Sequence, residues 1–186
     1  MVYVFLADGF EELEAVAPID ILRRAGLEVA AVKVGPGERA RGSHGVEIAA
    51  DMREEEIDIS DLKDLEMIVL PGGAAGVENL CKSETVKKII ARCAGAGIKI
   101  GAICAAPSIL ARLGYLKNIR ATAHPSFRNY LALGGAVLEE TKKVLTDGIF
   151  TTAAGAGVSA EFGLELAAVL KGGDEAKKIG EQILFY

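Results

Sequence analysis

Short, unbroken apolar runs alternate along the chain with longer segments in which apolar residues recur every three or four positions. The runs at residues 3–6, 29–32, 67–70 and 98–103 predict strands buried on both faces. Residues 12–24, 86–94 and 107–113 carry helical spacing, and Pro18 predicts a kink in the first of them. Two further strands are predicted at 121–123 and 148–152, then helices at 159–170 and 174–183. Buried strands separated by helices imply an α/β fold, a parallel sheet with helices on each side. Gly26, Gly97 and Gly114 each follow a helical stretch, where a left-handed cap favours glycine. Gly35-Pro36-Gly37 marks a turn, and residues 39–42 with 46–49 read as a hairpin off the main sheet.

Composition narrows this picture without naming a partner. The chain has 186 residues, 51% of them hydrophobic, and a formal net charge of −5, which fits one domain spanning 1–186 with a sizeable core. No basic stripe points to nucleic acid. No apolar stretch reaches the ~18 residues of a membrane helix, and the apolar start lacks the basic flank of a signal peptide. A soluble cytoplasmic protein is expected. Three cysteines in no zinc spacing, with only two histidines, argue for a reducing compartment and against a metal site.

Ligands of open α/β sheets bind beyond the carboxyl ends of the strands, so the strand-to-helix turns carry the candidate chemistry. Residues 99–107 place Cys104 where a strand gives way to a helix, with small residues on both sides. This is the pattern of a nucleophile elbow with Cys in place of Ser. The helix N-terminus behind it favours a thiolate and predicts a lowered thiol pKa. Pro71-Gly72-Gly73-Ala74 follows another strand, and its backbone N–H groups suit an oxyanion. Asp8-Gly9-Phe10-Glu11-Glu12-Leu13-Glu14 puts four carboxylates at a helix entry, where the dipole alone explains acidic residues. Leu13, Val16, Ile19 and Leu22 define an apolar face with Glu14 at its edge, which leaves open one carboxyl turned inward, protonated and able to donate to sulfur. His124, at a predicted strand end, is the candidate base. His44 is expected on the surface of the hairpin, and Cys81 and Cys93 are expected to be structural.

These segments together resemble the ThiJ/PfpI superfamily, and within it the parkinsonism-associated deglycase (DJ-one) clade, from Val2 to about Lys171. The motifs are residues 8–14, Asp20 to Gly26, Val69-Leu70-Pro71-Gly72-Gly73, Ala102-Ile103-Cys104-Ala105-Ala106-Pro107 and His124-Pro125. The resemblance implies a flavodoxin-like three-layer sandwich with a mostly parallel sheet, usually assembled as a homodimer. It implies a reactive Cys104, a protonated Glu14 bonded to it, and backbone N–H groups of Gly73 and Ala105 facing the sulfur or an oxyanion, with His124 nearby. It also implies a cofactor-independent glyoxalase or deglycase acting on methylglyoxal-type dicarbonyls or early glycation adducts. A redox-sensing or holdase role for the same cysteine is the alternative, and a peptidase is a third reading. One departure is Ala153-Ala154-Gly155-Ala156-Gly157, where better-known relatives have a Ser-Arg-Gly-Pro type sequence; Ala154 brings no cation to the pocket. No acidic partner for His124 is evident, so a Cys–His–Asp triad is not expected.

Overall fold

The computed structural model describes residues 1–186. In chain order the elements are β1 (Val2–Ala7), α1 (Glu12–Arg24), β2 (Val29–Val34), β3 (Arg39–Arg41), β4 (Glu47–Ala49), β5 (Met52–Arg53), β6 (Met67–Leu70), α2 (Ala74–Lys82) and α3 (Glu84–Ala96). Then follow β7 (Lys99–Ile103), α4 (Pro107–Arg112), β8 (Arg120–Ala121), α5 (Arg128–Leu133), β9 (Val137–Leu138), β10 (Val144–Asp147), β11 (Phe150–Ala153), α6 (Ser159–Lys171) and α7 (Gly173–Gln182). Seven strands form the main sheet in the order β10-β11-β7-β6-β1-β2-β5. All neighbours in it run parallel except the antiparallel β10–β11 pair.

Strand alternation divides the core into two layers. Phe5 and Ala7 face one cluster with Leu80 of α2, Ile89 and Ile90 of α3 and Leu110 of α4. Val4 and Leu6 face the other, with Leu22 of α1, Phe162 and Leu166 of α6 and Ile179 of α7. This is the three-layer α/β sandwich expected from the apolar runs. The β3–β4 hairpin also forms as predicted, pairing Arg39 with Ala49 and Arg41 with Glu47. Gly26, Gly97 and Gly114 all have positive φ.

Several elements differ from the sequence expectation. The strand expected at 121–123 is shorter and earlier, and β8 pairs with β9 in a separate two-stranded sheet. The last strand of the main sheet starts at Phe150, because Gly148 (φ 62°) makes the turn from β10. α2, α5 and β10 are additional to the predicted elements. α1 forms over the predicted residues 12–24, with Pro18 inside it. Its buried face is not the predicted one: Leu13 is 59% exposed and Val16 46%, while Glu14, Ala15, Pro18, Ile21 and Leu22 are buried.

The reason is α6, which packs closely along α1. Gly163 leaves room for that approach, since a Cβ there would lie 2.8 Å from Ile21 Cδ1 and 3.3 Å from Pro18 Cα. That contact turns the Glu14 side of α1 towards the sheet. We expect Gly163→Val to destabilise the fold by about 1–3 kcal/mol through overpacking, measured by urea denaturation.

Candidate active site

Three parallel neighbours, β1, β6 and β7, end side by side, and each hands over to a helix. The β7 turn carries Cys104, a non-glycine residue with φ 64°. This is the left-handed backbone of a strained elbow, which projects the side chain away from the strand. Two bonds hold it: Cys104 N–H donates to Ala153 O at 2.8 Å, and His124 N–H donates to Cys104 O at 3.0 Å. The β6 turn supplies Gly72 and Gly73, and the β1 turn leads through Glu11 into α1 and Glu14.

Glu11 caps α1 by accepting the Glu14 N–H at 2.8 Å. Glu14 itself is fully buried, and its Oε2 accepts the Gly72 N–H at 2.8 Å. Gly72 is therefore spent on Glu14 and is not free for an oxyanion, which corrects its expected role. It must still be glycine, since a Cβ would strike the Glu14 carboxylate and lie 2.7 Å from Cys104 Cβ. The N–H groups of Gly73 and Ala105 face the Cys104 sulfur. Glu14 Oε1 is buried with no donor upon it, and the Cys104 side chain is its carboxyl's neighbour.

The electrostatics depart from the simple expectation of a dipole-lowered thiol. Burial pushes the Glu14 carboxyl up to about 7, against the smaller lowering by the adjacent Cys104 side chain and the Gly72 N–H, while the Glu11 charge adds to the rise. Burial, then the Glu14 charge and its hydrogen bond, push the Cys104 thiol up to about 12, while the Gly73 and Ala105 N–H groups pull it down. A helix N-terminus acting alone lowers a thiol; burial beside a carboxyl outweighs it here. The two groups titrate as a pair, keeping one proton between them from about pH 7 to about pH 12.

His124 is exposed, and its ring makes no hydrogen bond to sulfur. Its Nδ1 accepts the Ser126 N–H at 3.3 Å, which assigns the ring proton to Nε2. In that tautomer the free ring atom is a donor, so a base role is not built in. His124 does line the same cavity as Cys104, of about 570 Å³, together with Glu11, Glu14, Ala154 and Gly155.

Two basic residues of the cavity were not foreseen. His44, expected on the surface, is 76% exposed yet reaches this rim. Glu12 fixes it there by accepting both the His44 N–H (2.7 Å) and its Nδ1–H (3.0 Å), and this bond raises the His44 pKa. Lys143 also lines the cavity, because the β10–β11 pairing sets its carbonyl on the Ala154 N–H at 2.8 Å. Neither residue lies in a turn after a parallel strand, so no local pattern marks them. Glu11, Glu12 and His44 are the one group whose ligand atoms come close enough to hold a cation, although Glu12 is already engaged by the hairpin.

Residues 1–169 match the model of the DJ-1/PfpI family. The chain belongs to this family. It is 33% identical to the protein dj-1beta of Drosophila melanogaster, over 97% of this chain and 95% of that one. It is 32% identical to the Schizosaccharomyces pombe protein named glutathione-independent glyoxalase DJ-1, over 89% of this chain and 88% of that one. The crystal structure of Drosophila DJ-1beta superposes with a TM-score of 0.92 at 32% identity, covering 98% of this chain and 96% of that one.

The shared proton has a consequence for stability within this family member. Between pH 4.5 and about 7 the folded pair holds a proton that an unfolded glutamate has released. Its contribution is full below pH 4.5 and is lost as the pH rises to about 7. Relative to Glu14→Gln, the wild-type free energy of unfolding should therefore fall by ~3 kcal/mol across that window. Urea denaturation as a function of pH measures it; a flat difference would contradict a raised Glu14.

Proposed function

We propose that the protein is a cofactor-independent glyoxalase, or deglycase, that uses Cys104 on methylglyoxal-type dicarbonyls and their early adducts. The observation that carries this reading is the unpartnered, buried Glu14 Oε1 beside a sulfur faced by two backbone N–H groups. A proton on Oε1 shared with Sγ satisfies both atoms and leaves the sulfur as a thiolate. The Gly73 and Ala105 donors favour that arrangement over thiol and carboxylate. Relatives in fission yeast and in Caenorhabditis elegans are named glutathione-independent glyoxalases.

In the proposed reaction the thiolate adds to the aldehyde carbon. A C–S bond forms and the carbonyl pair moves to oxygen, which takes the Glu14 proton to give a hemithioacetal. The Glu14 carboxylate then removes the proton from that carbon and returns it to the neighbouring one by way of an enediol, while the hydroxyl proton passes from the first oxygen to the second. The result is a thioester of the hydroxy acid. Water hydrolyses it, releasing lactate and restoring the thiolate, so that methylglyoxal plus water gives lactate with no net oxidation. His124, with its Nε2–H donor, is suited to bind the second carbonyl oxygen. A cavity of about 570 Å³ exceeds what methylglyoxal needs and has room for a glycation adduct.

We expect wild type to form lactate from methylglyoxal and Cys104→Ser to form none, by coupled lactate assay. Alkylation of Cys104 by iodoacetamide should titrate near pH 7, and Glu14→Gln should raise that midpoint by about one unit, as an amide donor replaces the acid. A wild-type midpoint near 12 would place the proton on sulfur and remove the mechanism. Were lactate absent while peroxide oxidised Cys104 ahead of Cys81 and Cys93, the redox-sensing reading would replace it.

A homodimer accompanies this proposal. Leu13 and Val16 stand one turn apart on the outer side of α1, and Val46 of the neighbouring hairpin is 55% exposed, with its N–H on Glu12 Oε1. A second copy would cover these apolar residues. Sedimentation equilibrium should give a dimer for wild type and a monomer for Leu13→Glu with Val16→Glu.

A further inference from the structure

The sequence puts a lysine next to the end of an otherwise apolar strand, and the fold buries it completely. Lys33 lies in β2, opposite Leu6 of β1, with its side chain 0% exposed. A buried ammonium is unfavourable unless it is paired. Its partners are the Val34 carbonyl at 2.8 Å and Asp8 Oδ1 at 3.2 Å. Asp8 is the first residue beyond β1, and its side chain is 57% exposed, free to leave for water were no cation holding it. Oδ1 also accepts the Arg41 N–H at 3.0 Å, which ties the hairpin to the same carboxylate.

From Asp8 the chain runs through Gly9 and Phe10 to Glu11, clamped on both sides. Gly9 N–H donates to Arg41 O at 2.8 Å, and Ser43 N–H to Phe10 O at 2.8 Å, on the hairpin side. On the other side Asn79 Nδ2 donates to Asp8 O at 2.9 Å, Gly76 N–H to Gly9 O at 3.1 Å, and Glu11 N–H to Gly72 O at 3.1 Å. The approach is too close for side chains. A Cβ on Gly9 would lie 2.6 Å from Ala75 Cβ, and one on Gly73 would strike the Gly9 carbonyl. Displacement of Asp8–Gly9 therefore reaches Gly73, whose N–H faces the Cys104 sulfur, and Glu11, which caps the helix of Glu14.

We infer that Lys33 is a positioning residue for the Cys104 site, acting through Asp8 and the loop from Asp8 to Glu11 on the Gly73 N–H and on Glu14. It touches neither the sulfur nor the cavity around it. Its effect is to pin an otherwise solvent-seeking carboxylate at the root of the loop. The inference rests on Cys104 being the reactive group, and alkylation of the thiol is read without any dicarbonyl, so a failure of lactate formation leaves it standing.

Stability and reactivity separate a positioning role from a merely structural one. Replacing a buried ammonium by an apolar side chain of similar length removes its desolvation cost, and the carboxylate left behind, Asp8, is 57% exposed and can be solvated. Lys33→Met should therefore keep the thermal midpoint at or above wild type. The same variant should alkylate Cys104 about fivefold more slowly at pH 7, its midpoint moved up by about one unit. Asp8→Ala, which leaves Lys33 buried and unpaired, should lower the thermal midpoint. Asp8→Ala combined with Lys33→Met should recover stability but not the alkylation rate. If Lys33→Met does not fold, the double variant gives the same reading. A folded variant lacking Lys33 whose Cys104 titrates as in wild type would overturn the inference.

Discussion

The site depends on one close approach, in which the Gly72 main chain passes against both the Glu14 carboxyl and Cys104 Cβ with no room for a side chain. That contact brings residues that follow three different strands to one point. It follows from the sheet order: β7, β6 and β1 are consecutive and parallel, so their carboxyl ends open on the same edge. Moving any one strand would separate the sulfur, the N–H donors or the acid from the others. The two-sided core serves this alignment, with α6 on α1 fixing which side of α1 meets Gly72, and the α2–α4 layer supporting the two donor turns.

Much of this arrangement is legible from the chain alone. Each of the four apolar runs forms a strand, and Cys104 lies at an elbow because a run of small residues separates a strand from a Pro-initiated helix. Glu14 was harder. Periodicity on α1 admits two apolar faces, and a hydrophobicity count prefers the one with Leu13 and Val16 because the other contains a carboxylate. The fold buries the carboxylate and exposes the two apolar residues. The buried side has a reason that lies outside the helix, since Gly163 permits close packing there, and the exposed side is the one assigned to the proposed homodimer. Lys33 escapes notice for a similar cause, since a strand ending in a lysine looks terminated until its partner at the end of β1 is known.

His44 and Lys143 show a different limit. Each reaches the cavity through an antiparallel pairing, one in the hairpin and one in β10–β11, whose registers bring residues distant in sequence to the rim. Lys143 changes the meaning of Ala154. The departure from a Ser-Arg-Gly-Pro type sequence removes a cation from the loop after β11, but the strand beside it returns one to the same cavity.

Activation of the cysteine is a contest between burial and hydrogen bonding. A thiol at a helix N-terminus is usually explained by the dipole, which acts on the thiolate however deep the site. Here burial raises both the thiol and the neighbouring carboxyl, and neither group ionises easily by itself. Two buried anions side by side are unfavourable, so the pair gives up a single proton near neutrality and keeps the second. The outcome then turns on where the retained proton sits. Gly72 offers one N–H to the carboxylate, whereas Gly73 and Ala105 offer two to the sulfur. The Asp8–Glu11 loop bears on both sides of that balance, because it packs on Gly73 and caps the helix of Glu14. On the proposed reading, reactivity is thus set less by the charge near the sulfur than by how firmly the surrounding backbone holds its donors in line.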